Sequence, residues 1–311
     1  MDGPSPKEQI ARAFFGTELE KIEAGTARTE SALATHGIAP DFDALRQLCR
    51  GFFETPAKSR YSGPITAGDA FFSGCFIAAL RPERMIEFGV SSGVSTAFLL
   101  AAADDQDVMG DGLFLTAVDI TDDLGGGNRT GQVVPEKVPD LEKHLDLCIG
   151  DTSFDLLQSG ALAQAMGPGA VLAHVDADHC HPWPLIDILA LYLTMPAGSW
   201  ILLQDVAMVE RWLFGTILNG KPVPRPLRGP SIAFSHWPGT KILGEDMCYN
   251  MGAIRLDIDA AAILQFIADC RAYGTELGSS DLSDADPGEA ARHLEILEAK
   301  IRFKANARTV A

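Results

Sequence analysis

The chain of 311 residues is long enough for one large domain, or for one domain with helical additions. Hydrophobic residues make up 47% and charged residues 22%, which predicts a sizeable buried core and excludes a wholly disordered chain. Asp and Glu number 42 against 25 Lys and Arg, a formal net charge of −17. So acidic a surface repels a phosphate backbone, and we expect no nucleic-acid partner.

The sequence carries no targeting or membrane-spanning pattern. Its N-terminal stretch lacks the basic segment, apolar core and cleavage site of a secretory signal. No window reaches the roughly 18 uninterrupted apolar residues of a membrane span. The six cysteines are scattered without a CxxC pair, which indicates reduced and mostly buried thiols. We expect a cytoplasmic protein that has no membrane partner.

The first part of the chain is predicted to be helical. Apolar residues at helical spacing indicate two helices within residues 6–54, separated by a turn near Gly37 and Pro40. A further apolar helix runs from Ala70 to Leu80 and stops at Pro82. We take residues 1–65 as an N-terminal helical extension.

From Met85 onwards, short apolar runs alternate with helices. The predicted strands cover residues 85–90, 113–120, 145–151, 170–178, 200–205 and 250–256. Such alternation is typical of a parallel sheet covered on both faces. We predict an α/β fold, with a doubly wound, mostly parallel sheet of seven strands, over residues 66–275.

Two further segments complete this organisation. Residues 206–245 contain five prolines and are predicted to form a lid inserted after the fifth strand. Residues 276–311 are predicted to be a solvated loop followed by a charged C-terminal helix.

The first predicted strand ends in a glycine turn that opens a helix. The turn runs through Gly89, Ser91, Ser92 and Gly93, and Ser95 and Thr96 follow at the start of the helix. Glycines allow a tight turn and close approach of the backbone to a ligand, and the free N–H groups of the helix start face the same place. Because parallel strands bind ligands at their carboxyl ends, this edge is the predicted site.

Acidic residues mark the ends of the neighbouring strands. Glu87 lies inside the first strand and is expected to hold the glycine loop or to meet a cationic ligand group. Asp119 ends the second strand, where an acid can accept both hydroxyls of a ribose. Ile120 would then lie against an adenine face. Asp151 ends the third strand and either borders the ligand or caps the helix at 152–159.

These residues resemble the class I S-adenosylmethionine-dependent methyltransferases over roughly residues 66–256. The resemblance rests on the ordered motifs at 87–96, at 118–119 and at 150–152. The run His174–His179, followed by Gln204 and Asp205, is similar to the small-molecule O-methyltransferase branch. That branch includes the macrocin and novobiocic-acid enzymes and, more distantly, catechol O-methyltransferase. The GxGxxG spacing of dinucleotide-binding proteins is absent.

The resemblance implies S-adenosylmethionine (SAM) as cofactor and a hydroxyl oxygen of a small molecule as methyl acceptor. It implies that the glycine turn, with Glu87, surrounds the methionine moiety and that Asp119 binds the ribose. Asp151 and Thr152 would lie near the adenine, and Asp176 would lie at the cofactor site. The resemblance is also compatible with a homo-oligomer.

The same resemblance implies a metal site and a general base. Asp176 and Asp205 match two ligands of the Mg²⁺ ion in metal-dependent relatives, whereas Val206 replaces the third and cannot ligate. Mg²⁺ tolerates few protein ligands because it keeps several waters. Asp178 matches the base of the sugar O-methyltransferases, and His179, whose ordinary pKa lies near neutral pH, is the alternative. His174, inside an apolar strand, is predicted to be a core histidine.

Two other functions fit part of the sequence. Residues 89–93 also satisfy G-x-S-x-G, which in an α/β-hydrolase presents a nucleophile, here Ser91, with Asp205 and His236 following in the expected order. That fold needs several strands before the motif, and the first 80 residues are predicted to be helical. A non-catalytic nucleotide-binding protein would bind ligand without turnover.

Basic and aromatic residues concentrate after the fifth strand. The segment from Arg211 to Lys241 contains no Asp or Glu, although the chain carries a net charge of −17. Its basic and aromatic members are Arg211, Trp212, Phe214, Lys221, Arg225, Arg228, Phe234, Trp237 and Lys241. One hypothesis is a wall over an anionic or sugar-like acceptor, with the aromatics on its body. The alternative is an ordinary solvated loop.

Overall fold

A computed structural model describes residues 25–55, 57, 65–207, 228–248, 250–274 and 286–309. Its helices are α1 Ala27–Thr35, α2 Phe42–Glu54, α3 Ala67–Leu80, α4 Val94–Asp105, α5 Val134–Lys137, α6 Ser153–Ser159, α7 Ala161–Met166, α8 Trp183–Thr194, α9 Gly229–His236, α10 Ala260–Arg271 and α11 Pro287–Thr309. Its strands are β1 Arg84–Phe88, β2 Leu115–Asp119, β3 Asp123–Gly125, β4 Asn128–Arg129, β5 Leu145–Ile149, β6 Val171–Val175, β7 Trp200–Leu203, β8 Lys241–Leu243 and β9 Gly252–Arg255.

Seven of these strands form one twisted sheet, and β3 and β4 form a separate small hairpin. The order across the sheet is β5-β2-β1-β6-β7-β9-β8. The first five strands in this order pair in parallel, whereas β9 is antiparallel to both β7 and β8. The strand order reverses between β1 and β6. In an open sheet such a reversal leaves a crevice at the carboxyl ends of the strands.

The central strands are apolar on both faces, as burial under two helical layers requires. Met85 and Leu172 face the layer of α2, α3 and α4, whereas Ile86 and Ala173 face the layer of α8, α10 and α11. The two cores therefore lie on opposite sides of the sheet. At about 25 cal/mol per Å² of buried apolar surface, two such layers are the main source of stability.

Polar side chains fix where the helices begin. Thr66 accepts from the backbone of Asp69 at the start of α3, and Asp69 accepts in return from Thr66, which is a capping box. Thr152 and Asp155 form the same arrangement at the start of α6. These caps satisfy N–H groups that would otherwise lack partners. Asp151 is therefore not the cap of α6, and that alternative is wrong.

The predicted fold is confirmed, with one difference in the segment after β7. The prolines of residues 206–245 predict a lid, but α9 and β8 within this segment belong to the main fold, and β8 completes the sheet as an edge strand. Residues 208–227 lie outside the described part. The helices α1 and α2 pack into the core under α3 and α4. The boundaries at 65 and 275 stay predictions.

Several smaller predictions concern single residues and possible membrane helices. All six cysteines lie in the described part and are free thiols, five of them buried. His174 is fully buried, as a core histidine should be. Within the described ranges no helix combines the length and apolar character needed to cross a membrane.

Candidate active site

A cleft of about 610 Å³ opens at the carboxyl ends of β1, β2, β5 and β6. This volume is within the usual range for small-ligand sites. Ten predicted site residues line it: Gly89, Ser91, Ser95, Asp119, Ile120, Asp151, Thr152, Asp176, Asp178 and His179. The parallel sheet brings these residues, which are far apart in sequence, to one place.

The glycine turn after β1 fits closely against the end of β6. Gly89 has φ +88°, and a Cβ atom there would lie 2.1 Å from the carbonyl oxygen of Asp176. The Asp176 N–H in turn donates to the Phe88 carbonyl oxygen at 2.8 Å. Only glycine satisfies both the conformation and this approach. The turn therefore sets the distance between the two strand ends at the cleft.

Asp119 holds this turn from the neighbouring strand. Its Oδ2 atom accepts from the backbone N–H groups of Val90 and Ser91, both at 2.9 Å. Ser91 takes a positive φ of 48°, which is unusual for a residue with a side chain. Ile120 beside Asp119 is 68% exposed and forms part of the cleft wall. An apolar side chain so exposed inside a cleft is suited to covering a flat ring.

Five predicted site residues do not line the cleft: Glu87, Ser92, Gly93, Thr96 and Asp205. The Glu87 carboxylate points into the core, where Thr96 Oγ1 donates to it at 2.6 Å and His174 Nδ1 lies 3.5 Å away. Burial lowers the pKa of His174, but the nearby Glu87 carboxylate outweighs it and raises this pKa. Glu87 therefore supports the loop from behind instead of meeting a ligand directly.

Gly93 also has a packing role. It begins α4 with φ +86°, and a Cβ atom there would lie 2.8 Å from the Cα of Gly131. Backbone bonds join the same segment to the turn, since the N–H groups of Gly131 and Val133 donate to the carbonyl oxygens of Ser91 and Ser92. The segment after β4 thus covers the outer side of the glycine turn.

At the β6 end of the cleft, His179 lies between two carboxylates. His179 Nε2 is 3.0 Å from Asp176 Oδ1, and its Nδ1 is 3.4 Å from Asp205 Oδ2. One ligand atom from each of the three residues lies within 4.8 Å of the others, so the group could hold a metal ion. Asp205 itself does not line the cleft but lies behind His179. No local sequence pattern indicates that His179 contacts both acids.

The charges within this group shift the pKa values of His179 and Asp176. Desolvation of His179 is opposed by the hydrogen bond to Asp176 and by the charges of Asp205, Asp176 and Asp178, which together raise the pKa of His179 to about 9. Burial, together with the nearby charge of Asp205, raises the pKa of Asp176 although His179 acts against it. At neutral pH the raised pKa favours an imidazolium ring with one N–H directed at each acid.

Sequence reasoning missed three residues around this cleft. Asn250 donates from Nδ2 to Asp205 Oδ1 and thereby orients that carboxylate, whose residue has a positive φ of 60°. Trp183 and Asp187, on the first turns of α8, line the cleft beside Ser153. A single acid inside the apolar run of α8 was the available signal for Asp187.

The proposed acceptor wall after β7 is not supported where the structure describes it. Trp237 is 2% exposed and packs edge-on against Phe266, and Phe234 is buried against Gly252. Lys241 donates to the carbonyl oxygens of Phe234 and Ser235, which end α9. These three side chains serve the core and the helix end. The other members of the segment, apart from Arg228, lie outside the described residues: Arg211, Trp212, Phe214, Lys221 and Arg225.

The hydrolase alternative also lacks its triad. His236 lies at the end of α9, where its Nε2 is 2.8 Å from the Tyr273 hydroxyl. Asp205 is engaged by Asn250 and His179. Neither residue lines the cleft with Ser91. The geometry therefore offers Ser91 no base–acid pair of the required kind among the described residues.

Comparisons with known proteins identify a family for part of the chain. A family model described as a methyltransferase domain matches residues 86–206. No curated protein matches the chain.

Three solved structures are among those similar to the chain. Rv0187 from MTB, solved with cofactor bound, is 17% identical and aligns over 83% of this chain and 100% of its own, with a TM-score of 0.45. An O-methyltransferase from Bacillus cereus in complex with SAH is 17% identical over 75% and 97%, with a TM-score of 0.41. The O-methyltransferase TomG from Streptomyces achromogenes, in complex with SAM, is 14% identical over 68% and 89%, with a TM-score of 0.40.

The family match covers the glycine turn, the acidic strand ends and the carboxylate–histidine group, which are the parts of the chain that build the cleft. Residues 86–206 of the chain therefore belong to a methyltransferase domain.

Proposed function

We propose that the protein transfers the methyl group of SAM to a hydroxyl oxygen of a small molecule. The observation that carries this proposal is the Asp176–His179–Asp205 group at the edge of the cleft. A hydroxyl is a poor nucleophile until its proton is removed or its charge is stabilised. Carboxylates and an imidazole beside the glycine turn can do this, whereas simple binding of a nucleotide needs neither.

The cleft suits SAM in both shape and polarity. Bound SAM supplies an electrophilic methyl group on its sulfonium centre. Asp119 and Ile120 flank one wall, where a ribose and an adenine would fit, and Ser91 and Ser95 lie at the glycine turn, where the methionine end would fit. Asp176 and His179 of the carboxylate–histidine group line the same cleft. The acceptor oxygen would then meet the methyl group beside His179, in line with the bond that breaks.

We further propose that Asp176 and Asp205 can hold a divalent cation, with His179 beside it. Two carboxylates and one imidazole within 4.8 Å are a donor set that suits such an ion. The cation would supply a Lewis acid that lowers the pKa of an acceptor hydroxyl. Asn250 fits this arrangement because it fixes the orientation of Asp205. Val206 contributes no ligand.

His179 and Asp178 are the candidates for the base. Asp178 accepts from the Cys180 N–H at 2.7 Å and so shapes the loop, whereas His179 faces the cleft with 23% of its side chain exposed. With a pKa of about 9, His179 holds its proton at neutral pH as long as both carboxylates are charged. Neutralising those carboxylates with a cation would release the proton and free the ring to act. His179 is therefore our preferred base.

The acceptor is proposed to be a small molecule that bears an anionic or sugar-like group. Support for this comes from the uneven charge distribution: four basic residues, Arg211, Lys221, Arg225 and Arg228, and no acidic one precede Lys241, which itself holds the end of α9, in a chain of net charge −17. Of these, Arg228 directly precedes α9. The MycE methyltransferase, one of the similar structures, was solved with Mg, SAH and mycinamycin VI. Glycosides of that kind are a starting set for screening acceptors.

Calorimetry on the full chain tests the cofactor, and a transfer assay tests the reaction. SAM and its product S-adenosylhomocysteine (SAH) should bind and NAD should not; the opposite result would overturn the assignment. Labelled methyl transfer is then measured over a panel of hydroxylated acids and glycosides, with and without Mg²⁺. His179→Gln should lose at least about a hundredfold in rate while retaining SAH affinity. His236→Gln, at the exposed end of α9, is the matched control and should retain full activity.

A further inference from the structure

One carboxyl group in the cleft has no part in the methyl transfer derived so far. Asp187 lies on α8 within the sequence Leu185–Leu191, in which every residue is buried, and it lines the cleft with 5% of its surface exposed. Placing a carboxyl group among apolar side chains is costly unless it gains a partner. Its position in the cleft indicates that a ligand is such a partner.

The contacts of Asp187 leave both of its carboxyl oxygens able to make a further hydrogen bond. Ser153 Oγ donates to Oδ1 at 2.5 Å. Among the described residues, Ser153 is the hydrogen-bond partner found for this group; it uses one lone pair of Oδ1, so that the other lone pair of Oδ1 and the whole of Oδ2 are left for a ligand in the cleft. Ser153 itself opens α6, directly after Asp151 and Thr152. Asp187 thus lies next to the segment where the adenine end of SAM is expected.

Aromatic and aliphatic side chains line the same cleft as Asp187. Trp183, one turn before Asp187 on α8, lines the cleft and is supported from behind by His293 of α11 at 5.8 Å between ring centres. His293 in turn stacks on Phe154 at 3.7 Å. Ile120 belongs to the same cleft and is 68% exposed. Aromatic and aliphatic walls with one polar group suit a planar heterocycle that presents a hydrogen-bonding edge.

We propose that the Asp187 carboxyl group recognises the N1–N6 edge of the adenine base of SAM. This inference rests on the proposed cofactor site and adds a specificity residue to it. The adenine amino group donates to a carboxyl oxygen, and the ring atom N1 accepts from the carboxyl O–H. Ser153 holds the group in the orientation required.

The state of ionisation of Asp187 agrees with this pairing. Burial is the main cause that raises its pKa, the charge of Asp178 adds to it, and the Ser153 hydrogen bond opposes it, so that the pKa is about 7. A neutral carboxyl group offers one donor and one acceptor, which match N1 and the amino group of adenine. A carboxylate offers only acceptors and would face the lone pair of N1.

Calorimetry with modified SAH tests the pairing, at about pH 6, where the carboxyl group is neutral. The ligands are SAH, its 1-deaza analogue, in which C–H replaces N1, and its purine analogue without the amino group. We expect the wild type to bind each analogue about tenfold more weakly than SAH, the effect of one buried hydrogen bond. D187N keeps a donor and an acceptor and should preserve this discrimination. D187L, of similar volume, should bind all three ligands alike.

The outcomes separate this inference from the proposed function. If the wild type binds no SAH, the proposed cofactor site fails. If it binds SAH but does not distinguish the analogues, or if D187L distinguishes them as well as the wild type does, Asp187 does not recognise the base. Thermal unfolding of each variant confirms that it is folded. Asp104→Asn, an exposed acid at the end of α4, is the matched control and should behave as the wild type.

Discussion

Ser95 and Thr96 are neighbours on α4 with different surroundings, and they separate ligand contact from support. Ser95 lines the cleft, whereas Thr96 is fully buried and donates to Glu87 behind the glycine turn. Thr96→Val should lower the free energy of unfolding by about 2 kcal/mol, because a buried carboxylate oxygen loses its donor. Its affinity for SAH should change less than about threefold.

Ser95→Ala should show the reverse pattern. Removing a hydroxyl from the cleft should weaken SAH binding about fivefold and change stability by less than about 0.5 kcal/mol. Urea unfolding and calorimetry on both variants measure the two quantities. Equal loss of affinity in both would mean that Thr96 also acts on the ligand, contrary to its position in the core.

At the same scale, sequence reasoning identified acids at strand ends but not the direction of their side chains. Asp119 and Asp176 could be placed at one edge because parallel strands end together. The sequence could not show that the Glu87 side chain points into the core, because its partners Thr96 and His174 come from a helix and a different strand. Asp187 and Asn250 were missed for the same reason: their contacts cross between elements that are distant in sequence.

Among the elements, the turn between β1 and α4 leaves no space for a side chain at Gly89. Gly89→Ala would place a Cβ atom 2.1 Å from the carbonyl oxygen of Asp176, on backbone that cannot yield without moving β6. Gly150, after β5, has φ +93°, and a Cβ atom there would have no neighbour within 4 Å, so it serves as the matched control.

We expect Gly150→Ala to cost about 1 kcal/mol, the strain of a positive φ. Gly89→Ala should cost at least about 3 kcal/mol more and abolish SAH binding, because steric overlap adds to the same strain. Thermal unfolding and calorimetry compare the two. Similar behaviour of both variants would show that the β1 and β6 ends are not held together through Gly89.

Element prediction from the sequence succeeded where apolar runs were long and failed where they were short. β6 and β7 are continuous buried runs, and their identity follows from composition alone. β8 has three residues, with only the central one buried, and follows a proline-rich stretch. Its place in the sheet is set by pairing with β9, which no local pattern shows. Composition alone therefore favours a lid for this segment.

For the whole molecule, the pH dependence of stability should contain a contribution from Asp187. Its pKa is about 7 in the folded protein and about 4 in an unfolded chain. Between these values the unfolded state has lost a proton that the folded state retains, so stability falls as pH rises from about 4 to about 7 and stays reduced above that. At about 1.4 kcal/mol per pH unit, the loss from this one group is on the order of 4 kcal/mol.

Asp187→Asn removes this titration while keeping the volume and the partner Ser153. Relative to the wild type, the variant should gain stability as the pH rises from about 5 to about 8, by about 2–3 kcal/mol. Asp178, whose charge contributes to the raised pKa of Asp187, remains present in both proteins. Urea unfolding at both pH values, with Asp104→Asn as control, measures it. A difference that does not change with pH would mean that Asp187 is already charged in the folded protein at the lower pH, and the neutral carboxyl group required for pairing with adenine N1 would then be absent.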